Sequence, residues 1–321
     1  GASLKVLSKV REIDETFAIK KLVDYYQKRP SPEAISRIVK LTTQLSMIEN
    51  LLNELFATNY KQGLLFLLES SCWGFDIKKV VDAKLNEDKA TFYQAILDAL
   101  DIRSTEDYDR AQRQVVNDES HKVLTVSTVY YLIEKLKGAG PFVDAERLKS
   151  IQLLLLTTYP RLINFGTGHD TAILANGDSN FFPQDVEQEM KSYYSKMYNK
   201  DMEIKEIVEI LTKMKTSDVP HDQDVFACMI HSLLDEYRFF SEYPLTALAS
   251  TSLLFGALLQ KDLIQGTTLT VALNFIWELC NQPPDLHLFK FAVQLLYNFK
   301  LRLHEYPIYC KHLLECQSLS G

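Results

Sequence analysis

Helix breakers are scarce in this sequence of 321 residues: 11 glycines and 10 prolines, each about 3% of the chain against usual values of about 7% and 5%. That shortage argues against a fold made of many tight turns and favours long helices. Cysteine is also sparse. Five are present, Cys72, Cys228, Cys280, Cys310 and Cys316; an odd number without a CxxC pair does not make a disulfide framework and fits a reducing compartment. Positive charge is in deficit, with 35 Lys and Arg against 42 Asp and Glu, a net charge of −7 and a pI of about 5.6. Phosphate backbones are held by clustered surplus Lys and Arg, so the balance argues against a primary nucleic-acid surface. No apolar run approaches the ~18 to 20 residues of a membrane span; the longest is Ile151 to Leu156. GKS, GKT, GxSxG and HExxH are all missing, which removes the usual phosphate loop, serine-hydrolase elbow and zinc-protease helix. Gly1-Ala2-Ser3 reads as an appended terminus and the chain as a piece of a longer protein.

What is present is one helical pattern after another. Apolar residues at Leu4, Leu7, Val10, Phe17, Leu22 and Tyr25 predict a helix over 4–27. Ser31-Pro32-Glu33 then supplies a cap, a first-turn proline and an acid for the positive helix end. Further helices are expected at 45–57, 60–72, 76–84, 88–101, 107–117, 122–137 and 144–158. Others follow at 184–199, 203–216, 221–240, 245–262, 267–281, 286–304 and 308–316. Short connections between helices of this length predict an all-α fold, an α-solenoid of antiparallel helix pairs. Without a repeated signature the pairs fit a degenerate HEAT-like array.

The stretch YPRLINFGTGHDTAILANGD (159–178) gathers glycines, a histidine and two aspartates. Gly166-Thr167-Gly168 is only a GxG fragment, and Thr171 stands where a dinucleotide fingerprint needs glycine or alanine. A structural joint over 165–183 requires less: the glycines stop the preceding helix with left-handed backbone, and Asn176-Gly177-Asp178 makes a turn. The alternative is a helical enzyme or enzyme-regulatory domain with a site at His169 and Asp170, with Asp178 beside them. A second cluster, His304, Cys310, His312 and Cys316, matches no common zinc spacing, and no metal or cofactor is expected. The helices at 221–240 and 267–281 carry more apolar residues than one buried face needs. Two-sided burial inside the array accounts for the excess, and a partner groove is the other reading. For the groove, Phe226 and Ile230 share one face of the first helix, and Phe275 and Leu279 share one face of the second.

YPRLINFGTGHDTAILANGD followed by DVEQEMKSYYSKMY, then DEYRFFSEYPLTALASTSLLFGALLQKDLI (235–264) and LRLHEYPIYCKHLLEC (301–316), together resemble the scaffold-subunit family of the carbon catabolite repression–negative on TATA deadenylase complex, in its fungal form. The resemblance covers roughly 145–321. It implies HEAT-like blocks at 1–164 and 184–321 flanking the joint, and a non-catalytic scaffold in cytoplasm and nucleus. The second block resembles the family's tristetraprolin-binding domain, which docks short peptides of RNA-binding adaptors of zinc-finger or YTH type; other subunits of the complex are further partners. The groove's aromatic character carries over to Phe226 and Phe275 only.

The acidic balance generates one prediction. The nearest basic grouping is Lys290, Lys300, Arg302 and Lys311, interrupted by Glu305. The chain should bind single-stranded RNA more weakly than micromolar, with binding lost by physiological salt in a filter or anisotropy titration. Micromolar affinity persisting there would refute this reading.

Overall fold

The computed structural model describes residues 2–113, 121–284, 286–316 and 319, and among them every regular element is helical. Helices α1 to α9 are Ala2–Ile13, Glu15–Lys28, Pro32–Gln44, Ile48–Thr58, Tyr60–Cys72, Lys78–Glu87, Lys89–Gln112, Val126–Lys137 and Ala145–Thr158. Helices α10 to α17 are Asp170–Leu174, Gln184–Tyr198, Ile204–Lys215, Pro220–Asp235, Leu245–Gln260, Gly266–Cys280, His287–Phe299 and Pro307–Leu314. The chain divides after Thr158 into two compact units, each a stack of packed helix pairs. The loop 165–183 lies wholly in the second.

In the first unit, side-chain caps set the helix boundaries. Ser31 accepts from the Ala34 amide at 3.0 Å, as its place before Pro32 requires. Asp14 does the same for Phe17 at 3.2 Å, so the helix expected over 4–27 is two helices meeting at that aspartate. Conversely, the helix expected at 88–101 and the described part of that expected at 107–117 are one, α7, with no glycine or proline to interrupt it; 114–117 lie outside the described residues. Its 24 residues span about 36 Å. Asp107, polar and mid-helix, resembled a boundary but is buried as half of an ion pair. Arg103 holds Asp107 at 3.2 Å and Glu69 of α5 at 2.5 Å, and donates to the Lys122 carbonyl. Asp107 in turn accepts from the Leu124 amide at 3.1 Å. A buried arginine thus fastens α5, α7 and the segment entering α8.

The second unit is built around α13. From Gln223 to Ile230 every residue of this helix is buried, and Leu233 and Leu234 follow. The helix is enclosed on all sides, by α11, α12 and the 3₁₀ turn Pro160–Asn164 among others. Its excess apolar width therefore reflects two-sided burial. Helix α13 stops at Asp235, short of the expected 240, and the chain continues as a 3₁₀ turn over Glu236–Glu242. Similarly, the helix expected over 286–304 is α16 followed by a 3₁₀ turn, Lys300–Glu305. Helices α14 and α16 pack closely because Gly256 lacks a side chain: a Cβ there would lie 2.6 Å from the Asn298 Cβ.

Two predictions follow from these interiors. Asp224→Ala would leave the Arg161 guanidinium buried without its carboxylate partner (2.8 Å between Nε and Oδ1), and should cost about 3–5 kcal/mol in chemical denaturation. The double variant Arg161→Met/Asp224→Leu should cost less than Asp224→Ala alone, and a larger loss would refute the pairing energetics. The second concerns pH. Burial pushes the Cys228 and Cys280 thiols up to about 12, from an ordinary 9.0. An unfolded chain releases those protons near pH 9 while the native chain keeps them, so the stabilisation is complete below pH 9 and is lost as pH rises towards 12. Each pH unit in that window costs up to about 1.4 kcal/mol per thiol. Lys215, lowered to about 8 by burial, acts oppositely between pH 8 and its ordinary 10.5, but it is one group against several. Melting temperature should fall between pH 9 and 11, and fall less steeply in Cys228→Ala/Cys280→Ala.

Candidate docking surface

Polar residues of the stretch 159–183 are committed to holding it in place. Arg161 is buried and forms a bidentate pair with Asp224, Nε to Oδ1 at 2.8 Å and Nη2 to Oδ2 at 2.9 Å. Its Nη1 donates to the Ser179 carbonyl. Asn164 donates to the Gln223 carbonyl and to its side-chain Oε1, at 3.1 and 2.7 Å. Asp170 accepts from the Gly166 amide at 2.7 Å, His169 Nδ1 meets Asp218 at 2.9 Å, and Asn176 donates to the Pro220 carbonyl at 2.9 Å. The loop is thereby tied to the start of α13. His169 and Asp170 have separate partners, and Asp178 is exposed, so the three do not converge on one substrate position. Gly166, Gly168 and Gly177 have positive φ, the left-handed backbone expected of them. They do not stop α9, which ends earlier, at Thr158.

The four residues nominated as a peptide trough are all interior. Phe226 and Ile230 are each 1% exposed, Leu279 3% and Phe275 6%. The 3₁₀ turn after α13 explains the difference. It lays the Tyr237 ring flat on Phe275, centroids 3.9 Å apart and planes 2° from parallel, with the hydroxyl donating to Glu278 at 2.9 Å. Phe226 instead sits under Lys215, whose ammonium lies 5.2 Å from the ring centroid. Phe226 and Phe275 are therefore covered from within the fold by different residues, and neither offers its ring to a peptide.

The other nominated clusters are dispersed too. Cys310 donates to the Leu303 carbonyl and Cys316 to Asn281 Oδ1. Among the described residues, no three His, Cys, Asp or Glu side chains are placed to hold a metal ion. Arg302 is drawn from the basic grouping by Glu305 and Asp262, at 2.8 and 3.3 Å.

A partly exposed aromatic surface does occur, on α11 facing α14. Tyr194 and Tyr198 stand four residues apart, on one face of α11; their rings stack at 6.3 Å and remain half-buried. Each hydroxyl is tethered. Tyr194 donates to the Met229 carbonyl of α13 at 2.6 Å. Tyr198 meets Thr251 Oγ1 of α14 at 2.8 Å; that oxygen gives its proton to the Ala247 carbonyl, so the tyrosine is the donor. Tyr243, on the segment entering α14, donates to Glu236 at 2.8 Å. Burial raises all three phenols above their ordinary value; for Tyr243 the Glu236 hydrogen bond and then Tyr198 add to it. They stay neutral at physiological pH. Lys200 donates to Ser250 at the margin, and Leu245 is exposed in the first turn of α14. The arrangement is a row of fixed aromatic rings between polar groups. It has no convergent acid and base, and it suits apolar anchors of a partner chain. The sequence carried a signal for it in the i, i+4 spacing of Tyr194 and Tyr198. It was obscured because the charged remainder of α11 reads as a solvated face.

Two family models match the chain: the CCR4-NOT transcription complex subunit 1 HEAT repeat over residues 2–137, and the TTP binding domain of the same subunit over 167–321. The general negative regulator of transcription subunit 1 of Saccharomyces cerevisiae is 45% identical over 61% of this chain, and that of Schizosaccharomyces pombe 36% over 75%. The matches take in 9% and 11% of those relatives, so the chain spans about a tenth of their length. A solved structure, the N-terminal domain of the yeast Not1, superposes with a TM-score of 0.77 at 31% identity, over 95% of this chain and 61% of that one. With a HEAT-repeat match in the first unit and a TTP-binding match in the second, the chain belongs to the CCR4-NOT transcription complex subunit 1 family.

Proposed function

We propose that this chain is a non-catalytic scaffold segment of an mRNA deadenylation complex, and that it docks short peptide motifs of RNA-binding adaptors so that the complex reaches chosen messages. The tethered tyrosine row on α11 carries the reading. It falls within the residues matched by the TTP binding domain, and its fixed rings can receive aliphatic or aromatic side chains at little cost in ordering. Adaptors with tristetraprolin-like zinc fingers or YTH domains, acting in cytoplasm and nucleus, are the partners this surface would take.

A fluorescein-labelled peptide from a tristetraprolin-type tail, titrated by anisotropy, tests the assignment. Tyr194→Ala and Tyr198→Ala should each weaken binding about thirtyfold, the ~2 kcal/mol of an anchor pocket, while circular dichroism shows the helices intact. Unchanged affinity in both variants would move the docking site away from α11.

A further inference from the structure

A second recess lies between α12, α14 and α16, with a volume of about 740 Å³ and mostly apolar walls. That size is in the range of ligand-holding clefts. Leu253, one of its lining residues, is 43% exposed although it sits in a helix that is otherwise largely interior. Two polar atoms in the same lining distinguish the recess from an ordinary gap between helices. Gln260 Oε1 and Asn298 Nδ2 are both buried from solvent and neither has a hydrogen-bond partner. Buried polar atoms are almost always paired, and here an orphan acceptor and an orphan donor belong to one cleft. Rotation of either side-chain amide would turn its orphan atom towards the cleft, where a peptide unit offers the complement, an N–H for Gln260 and a C=O for Asn298. A helical ligand would have spent those groups on itself, so the complement is an extended segment.

The rim sets the charge of the ligand. Lys205, Lys213 and Lys261 line the recess against a single carboxylate, Glu209. None of the three lysines is in an ion pair among the described residues, in contrast to Arg302 nearby, which is fully engaged. Three free ammonium groups around an apolar cleft favour aspartate or glutamate flanking an apolar anchor. The Gly256–Asn298 approach brings α16 close enough to α14 for Asn298 to enter the lining.

We infer that the α12–α14–α16 recess is a second docking site, taking an extended acidic peptide segment of a partner protein, with one apolar side chain against Leu253 and a backbone amide paired to Gln260 and Asn298. The inference rests on the scaffold reading of this chain but concerns a surface separate from the tyrosine row.

The test is selection of a phage-displayed library of random 16-residue peptides on the intact chain, followed by anisotropy titration of the enriched sequences. Enriched peptides should carry an apolar residue flanked by two or more acids. Lys205→Glu/Lys213→Glu/Lys261→Glu should weaken them at least tenfold, and Asn298→Leu should also weaken them; Tyr198→Ala should not. The lysine variant should keep its affinity for the tristetraprolin-type peptide, so failure of one site is distinguishable from failure of the other. Thermal melts accompany each variant, and Leu253→Ser gives a surface substitution that does not alter charge. A selection that enriches nothing, or peptides without acidic bias, overturns the inference. So does binding that the lysine and Leu253 variants leave unchanged. Concentration-dependent dimerisation by light scattering, lost in the lysine variant, would replace the partner peptide with a second copy of this acidic chain.

Discussion

The second unit depends on one ion pair. Helix α13 is surrounded by other elements, and a carboxylate at position 224 could not enter that interior alone. Arg161 meets it with both arms of its guanidinium and uses Nη1 on the loop carbonyl of Ser179. Such a pair is weak evidence of net stabilisation, since two charges must be dehydrated to form it. Its visible effect is geometric: it pins the 159–183 loop across the start of α13. Met229 then lies where Tyr194 can reach its carbonyl, so the aromatic surface depends on a contact made elsewhere in the unit.

The first unit reaches a similar arrangement with different residues. Arg103 gathers Glu69, Asp107 and the Lys122 carbonyl into one buried node. In both units the arginine joins helices to a stretch of irregular backbone that would otherwise leave polar groups unpaired. Stacked helix pairs present long, shallow surfaces. Grooves that hold other chains are the natural use of such an architecture.

Most of the fold was legible in the sequence because its helices obey local rules. Ser31 caps where its neighbours say it must, and proline or glycine marks several later boundaries. The misreadings came where tertiary structure overrode local pattern. Asp14 breaks a continuous apolar periodicity, and buried Asp107 hides in a continuous helix. The proposed docking residues were less legible. An i, i+4 aromatic pair looks identical whether a partner covers it or the fold does, and Phe275 was covered by Tyr237 from a 3₁₀ turn that continued the helical pattern on paper. Tyr194 and Tyr198 carried the same spacing, but tethering by a carbonyl and a threonine hydroxyl is a property of space and not of sequence. Gln260 and Asn298 gave no signal at all, since only the packing leaves them unpaired.

The three tethered tyrosines bear on the timing of recognition. A tyrosine free to rotate must surrender rotamers when a partner arrives, and that loss opposes association. Here the hydroxyls of Tyr194, Tyr198 and Tyr243 are already bound to Met229, Thr251 and Glu236, so folding has largely met the ordering entropy in advance. The rings approach a rigid mould. Ligands of one mould differ mainly in how long they stay and much less in how fast they arrive. Peptides competing for this surface would then be ranked by residence time, the slowest to leave outlasting the rest.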